Sequence, residues 1–541
     1  MRKIKWGRVF IACLLIPASS LLIPGCARDD GTGKVFALPL DAAPQHLDPA
    51  IAQSPEELLL VNNLFEGLVR QDSNGELIPG AAQSWAISAD GLTYTFQLRE
   101  DAHWSLLRNN DGTVQRPHRE LLGDDIAEAF DTHVTAQDFV FGLTRALLPA
   151  TNSPGAAGLY AIANARAVHE GRAEPSALGV AALGRFTLEI TLEQPSAHFL
   201  YALTQSAAMP TNQVFFEATR GRFGRSAQHL LGNGPFYLNR WDSGENIFLR
   251  LRQNAGYHSE TAPFAVNFFV QPNPAARLNI LGADGGYDAA FIPAAFEPQI
   301  PAGAQITRLY NATLALVFRH ENVNLRRALC AALDVAELGF GEPPGLLPAA
   351  LHVGGDSLRS LVGPPAVMAH SIPRAQELLA AAELTRVSLT LVCAPAHETL
   401  ARRALQQWQQ AFGMAVTVTI ETIEDPEELA GRLQRGSFDI AVAPLSANSS
   451  FALQTLEDWA QPGSLLGYDS AQLQELLLAA RAEANPLEIA QAVRNAEQHL
   501  LQSGVVVPLA PQASLLAIAP GVTGFAASPV GDRVFLIELR K

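Results

Sequence analysis

Apolar residues recur at helical spacing over Ala401 to Phe412, Ala471 to Glu483 and Leu487 to Gln502, a periodicity that predicts three amphipathic helices. Runs rich in β-branched and aromatic residues predict strands over Tyr94 to Leu98, Phe186 to Leu192 and Val416 to Ile420. Strand, helix and strand alternate from about residue 385 to 443, the order of a parallel-sheet lobe. That lobe ends in Phe438-Asp439-Ile440-Ala441-Val442-Ala443, a short apolar strand followed at once by polar residues. Open α/β sheets bind ligands just beyond such strand ends. Residues 341–370 are rich in Gly and Pro and read as loop.

The start of the chain has a different pattern. Arg2, Lys3, Lys5 and Arg8 precede an apolar run from Val9 to Ile23 that is too short, and too broken by Pro17, to span a bilayer stably. Residues 1–25 therefore read as an export signal. It closes in Leu21-Leu22-Ile23-Pro24-Gly25-Cys26, where the small residue before the cysteine suits a signal peptidase and leaves Cys26 free to take lipid. Lipidation at Cys26 is preferred over an ordinary secretory signal with an incidental cysteine, or a short uncleaved anchor. It would place everything from Ala27 onward outside the cytoplasm on a lipid tether, at the cell surface or in the periplasm.

The remaining ~510 residues correspond to roughly three domains. An apolar content of 48% and a mean hydropathy of +0.10 describe a globular body. A net charge of −15 without a basic stripe argues against a nucleic-acid partner. Cys330 and Cys393 lie in apolar helical and strand-like runs and read as core positions, and the sequence leaves open whether they pair. No CxxC or Cys/His spacing points to a metal, and no cofactor is expected.

A set of short motifs follows in order. It runs His46-Leu47-Asp48-Pro49, Asn63-Leu64-Phe65-Glu66-Gly67-Leu68-Val69, Pro79-Gly80-Ala81-Ala82-Gln83-Ser84-Trp85, and Asp90-Gly91 leading into Leu92 to Arg99. Trp104, Val134-Thr135-Ala136-Gln137-Asp138-Phe139, Gly232-Asn233-Gly234-Pro235-Phe236-Tyr237, Asn254 to Tyr257 and Arg326 to Asp334 continue it. Each is weak alone, but their order over about 300 residues is specific. Together they resemble the family 5 extracytoplasmic solute-binding proteins of peptide and nickel ABC transporters. Ala177 to Leu183, with Phe186 to Leu192 and Gln194-Pro195, resembles the oligopeptide-binding branch. The tryptophans Trp85, Trp104, Trp241 and Trp408 stand where that family has packing residues.

The resemblance implies an α/β, two-lobed periplasmic-binding-protein-like fold (type II, cluster C) with an extra domain. The discontinuous first lobe would comprise 30–65, 199–300 and 505–541, the extra domain 66–198 and the second lobe 301–504. It also implies a monomer that captures an oligopeptide by hinge closure and delivers it to the transmembrane subunits of an ABC permease. A receptor-like or chaperone module on the same fold is the alternative. The cleft residues expected from it are Leu445, Ser446, Asn448, Ser449 and Phe451, facing Asp48 to Gln53.

The departures bear on the ligand. In peptide-binding relatives an aspartate after this strand pairs with the peptide's α-amino group; here Asn448 falls at that place, Val442 replaces an arginine, and Pro444 removes a backbone donor. A buried ammonium without a counter-charge costs several kcal/mol more than a paired one. Either the ligand lacks a free amine, or Glu457 or Asp458 supplies the charge. A further departure is an insertion between Trp104 and Val134. Its His118, with His103, His133, Asp124 and Asp125, fits no metal-ligand spacing and reads as a solvated loop.

Enzymatic readings fail on their motifs. His397-Glu398 lacks the second histidine of a zinc-protease helix, and neither a Gly-x-Ser-x-Gly elbow nor a P-loop is present. The protein is therefore read as a binding protein, not an enzyme.

Overall fold

The computed structural model describes residues 34–540 apart from 73–74, 106, 109–113, 116–118, 197, 245, 260–263, 341–344, 349–350, 354–355, 448–450, 462, 469, 484 and 528–533. The export signal, Cys26 and His118 lie outside the described residues, as do Asn448 and Ser449.

Two long strands, Gln305–Phe318 and Val506–Ile518, run antiparallel and organise the molecule. Their register slips between Leu309 and Ala312, a bulge of the kind that bends a ladder. Before the bulge, Ala289–Pro293 pairs with Ser514 to Ile518. Beyond it, Ile440–Ser446 pairs with Ala312 to Phe318, and Val387–Cys393 and Val416–Thr422 complete a six-stranded sheet. One sheet thus crosses between two cores.

The first core holds two four-stranded sheets. Lys34–Leu40, Phe264–Val270, Phe248–Gln253 and Phe236–Asp242 form one; Ala82–Ile87, Thr93–Leu98, Thr187–Thr191 and Val180–Gly184 form the other. The second sheet sits in the segment expected to be an extra domain. Its core is nevertheless continuous with the rest of the lobe, running from Phe36 through Phe96 and Phe139 to Leu516. At the predicted Asp90-Gly91 turn, Gly91 takes φ 72°, and Asp90 Oδ1 accepts from Ser88 Oγ (2.5 Å) and Leu92 N (3.1 Å).

In the second lobe the predicted helices appear as Glu398–Phe412, Ala471–Ala482 and Pro486–Ser503. Val387–Cys393 is parallel to Val416–Thr422 and to the start of Ile440–Ser446, as the alternation predicts. The whole sheet is mixed, because both long strands come from outside that alternating segment. Side-chain alternation sorts the two helical layers: Leu314, Leu316, Phe318 and Val442 face a core with Trp408, while Ala315, Val317 and Leu445 face one with Trp459. The described part of residues 341–370 is mostly loop, as expected, and also carries helix Leu358–Val362 and a hairpin of His352–Val353 and Asp356–Ser357.

Trp104 and Trp408 are fully buried, and Trp85 and Trp241 pack partly buried on the first core. Cys330 and Cys393 are buried free thiols. Burial pushes the Cys330 thiol up to about 12, so its nucleophilic thiolate is scarce. The insertion carries a short helix, Asp124–Ala129, with both aspartates in its first turn. His103 and His133 meet across an isolated bridge with ring centroids 4.4 Å apart, and His133 Nδ1 lies 2.9 Å from Asp131 Oδ1. No group of three metal-ligating side chains occurs among the described residues.

Candidate functional site

The two segments expected to wall the cleft, one in each lobe, are of opposite character. In the second lobe, Phe318 N–H donates to Val505 O (2.8 Å), so its backbone points toward Val506–Ile518. Antiparallel alternation then turns Val317, Ala315 and Thr313 toward Ala441, Ala443 and Leu445. The backbone groups of Pro444 and Ser446 consequently face the other side, where Val387–Cys393 pairs only with Ile440 and Ala441. This edge is open. Pro444 has no N–H to offer there, and Ser446 O accepts from Trp459 Nε1 at 3.0 Å. Among the described residues, the Pro444 carbonyl and the Ser446 N–H are left on that side without a strand partner.

The first-lobe wall, the loop ahead of helix Pro55–Leu64, is internally saturated. Glu57, buried at the third position of that helix, accepts from Gln45 N (3.2 Å) and His46 N (3.4 Å) on one oxygen and from Gln53 N (3.1 Å) and Ser54 N (3.3 Å) on the other. Asp48 accepts from Ala50 N at 3.0 Å, and its carbonyl takes the N–H groups of Ile51 (3.1 Å) and Ala52 (3.0 Å). Arg145 grips both Asp48 oxygens at 2.5 and 2.8 Å, with its guanidinium 4.7 Å from the Phe216 ring centroid. Every N–H from Ala50 to Gln53 is therefore used within the loop, which can offer a ligand carbonyls and shape.

The lobes touch through aromatic rings. Phe451 stacks on His198 (centroids 5.1 Å, planes 15° apart) and on Tyr201 (5.2 Å, 19°), and is only 1% exposed. His198 Nε2 lies 3.8 Å from Glu457 Oε2, while Arg481 Nε donates to Glu457 Oε1 at 2.5 Å. Burial, opposed by Glu457 and reinforced by Arg481, lowers the His198 pKa below its ordinary value. Asp458 differs from its neighbour. Its carboxylate accepts from Gln454 Nε2 (2.9 Å), and desolvation pushes its pKa up to about 7. On helix Ala452–Trp459, Gln454 and Asp458 follow Phe451 by three and seven residues and so share the face turned to the first lobe.

Of the expected cleft residues, Leu445 is buried in the second-lobe core, Ser446 is exposed on the open edge, and Phe451 is sealed between two rings of the other lobe. The structure brings Phe451 to His198 and Tyr201. Nothing in the sequence points to these two partners: neither lies in a chemical motif, and a contact across some 250 residues leaves no local period.

With this geometry in view, the comparisons are specific. The model of the bacterial extracellular solute-binding proteins, family 5 (middle region), matches residues 76–464. The chain belongs to this family. It is similar to the periplasmic murein peptide-binding protein MppA of Escherichia coli, 26% identical over 510 residues covering 89% of this chain and 88% of that protein. It is also similar to the probable deoxycholate-binding periplasmic protein YgiS of the same organism, 28% identical over 551 residues covering 97% and 95%. A solved structure of Haemophilus influenzae OppA in complex with RPPGFSPFR superposes with a TM-score of 0.73 at 24% identity, covering 94% of this chain and 98% of that one. The fold is thus the two-lobed type II periplasmic-binding fold, and the family 5 assignment makes the chain a solute-binding protein. No described helix is long and apolar enough to cross a membrane.

Proposed function

We propose that this family 5 protein is a lipoprotein, anchored through Cys26, that captures an oligopeptide by hinge closure and passes it to the transmembrane subunits of an ABC permease. The hinge is assigned to the bulge between Leu309 and Ala312 and its partner segment Gln512 to Ser514, where the two long strands that run from one core into the other change register. The lobes then divide within these strands, some residues beyond the expected boundaries at 301 and 505. Family relatives named for murein peptide and for oligopeptide support the ligand class.

The observation that carries the reading is the pairing state of the acids on the inter-lobe face. Glu457 is spent on Arg481, whereas Asp458 is bonded by the neutral Gln454, is repelled by Glu457 and has no cationic partner among the described residues. Asp458 is accordingly the counter-charge for a peptide's α-ammonium, and an arriving cation would draw its pKa back down from about 7. A second reading has support of its own. The open edge at Pro444 and Ser446 offers an extended peptide little ladder, and the relative YgiS is described as a probable deoxycholate-binding protein, so an apolar carboxylated ligand held by side chains would fit as well.

Native mass spectrometry of the chain from Ala27 onward, purified from peptide-rich medium and then denatured, tests both. A ladder of peptide masses is expected. One recurrent non-peptide mass would replace the peptide reading with the second, and an empty protein indifferent to peptide libraries would favour the receptor or chaperone alternative. Cys26→Ala should release the protein from the membrane fraction; an unchanged distribution would remove the lipid anchor.

A further inference from the structure

We propose that the pocket between Arg359 and Arg494, at the second-lobe end of the crossover strands, is an anion subsite that seats a carboxylate of the ligand. The inference rests on the ligand-binding reading above and adds a charge requirement to it. Thr313 and Pro511, paired across the two long strands just beyond the bulge, form one side of the pocket; Leu347 and Pro364 lie opposite. The pocket therefore opens beside the proposed hinge and on the sheet face that carries Phe451 and Trp459.

Its charges do not balance. Arg494 is 9% exposed and bonds Glu497 and the Gly363 carbonyl through its two terminal nitrogens, while its buried Nε has no partner. Among the described side chains, Glu497 is the one carboxylate against these arginines, and it also accepts from Leu347 N at 2.9 Å. Arg359, on the exposed face of helix Leu358–Val362, has no carboxylate partner among the described residues. It stands close enough to Arg494 to lower that group's pKa, as burial does more strongly. Among the described side chains, two guanidiniums and one acid leave a surplus positive charge at an apolar, proline-walled mouth. A ligand carboxylate satisfies it with charge-assisted hydrogen bonds to a planar donor group, the geometry arginine presents best. That carboxylate belongs either to a peptide C-terminus or to an apolar acid, and the experiment separates the two.

Calorimetry and thermal shift on the full mature chain would compare a tripeptide acid with its C-terminal amide, and deoxycholate with its methyl ester. Binding of an acid should be about tenfold tighter than that of its neutral counterpart. Arg359→Glu should abolish the preference and Arg359→Gln should reduce it, with neutral probes unchanged. Because Arg359 is exposed, both variants should keep the wild-type fold. Peptide acid preferred over amide supports the subsite and the peptide reading together. Deoxycholate preferred over its ester, with no peptide bound, supports the subsite and overturns the peptide reading. Equal binding of acids and neutral probes, retention of the preference in Arg359→Glu, or no uptake of any acid at millimolar concentration overturns the subsite; in the first of these cases, peptides bound equally as acid and amide leave the peptide reading intact.

Discussion

The two segments expected to wall the cleft, Gln45 to Ser54 and Ile440 to Ser446, solve opposite problems. From Gln45 to Ser54 the chain has no regular structure, yet two buried acids, Asp48 and Glu57, collect its backbone donors and Arg145 locks one of them. From Ile440 to Ser446 the chain is a regular strand, yet beyond Ala441 its outer edge has no strand partner among the described residues and is blunted by Pro444. Irregular backbone is rigid where carboxylates satisfy it, and regular backbone is reactive where nothing does. Binding proteins need one fixed wall against which the other can close. Here the acids fix the first-lobe wall, and the second-lobe wall keeps groups in reserve.

The sharpest way to break this contrast is to remove the lock. Arg145→Ala leaves Asp48 charged and buried, so a loss of about 3–5 kcal/mol is expected in denaturant unfolding. Asp48→Asn with Arg145→Met, which removes both charges, should recover a large part of that loss. If the single variant costs under about 1 kcal/mol, the first-lobe wall is not held by this pair.

Next in size is the clamp between the walls. Phe451→Ala deletes a ring buried against His198 and Tyr201, which large-to-small substitutions put at about 3–5 kcal/mol. Much of this is expected to act on closure rather than on either core, giving a larger radius of gyration in solution scattering. An unchanged radius together with a lower melting temperature would make Phe451 an ordinary core residue. The clamp should also respond to acid. Burial lowers the His198 pKa from its ordinary 6.5, so the closed form holds the neutral ring and proton uptake favours the open form, where water reaches it. Closure is then complete above pH 6.5 and is lost as pH falls below it. Ser196, Glu457 and Arg481 are the polar and charged groups around the ring, and Glu457 opposes the effect. His198→Phe, which keeps the stack and cannot titrate, should remove the acid opening seen by scattering.

Asp458→Asn should weaken a peptide with a free amine about tenfold while leaving an N-acetylated peptide unaffected. It sharpens the comparison by showing that the charge in the second wall belongs to the ligand. For the wild type, affinity for the amine should fall as pH drops below about 7, where Asp458 takes up a proton. Equal losses for both peptides would mean that the aspartate supports the helix instead.

Much of the scaffold was legible because its signals are local. The amphipathic periods at Glu398–Phe412 and Pro486–Ser503 and the Asp90-Gly91 turn need only neighbouring residues. The second-lobe sheet was read as parallel because its two antiparallel members, Gln305–Phe318 and Val506–Ile518, are brought in from afar. The site was half legible for the same reason. Pro444 and the exposed Ser446 follow from the strand itself, whereas the choice of Asp458 over Glu457 depends on Arg481 being 24 residues further on, one helix away. Ring stacking by His198 and the approach of Arg359 to Arg494 are tertiary facts that no spacing records.

The smallest effect tests the open edge directly. Pro444→Ala returns an N–H to a position whose backbone faces away from Gln305–Phe318, so it adds no bond within the folded chain. Stability should therefore change by no more than about 0.5 kcal/mol, with part of any loss arising from a freer unfolded chain. Ligand behaviour should change more than stability. With the Ser446 N–H and the Pro444 carbonyl already present, the added donor lengthens the ladder available to an extended backbone, and a peptide should gain up to about 1 kcal/mol while deoxycholate gains nothing. Calorimetry on the two probes reads the difference. A gain for both would show that the substitution acts through the shape of the wall, whereas a gain for neither would show that the ligand never reaches this edge and is held by side chains alone.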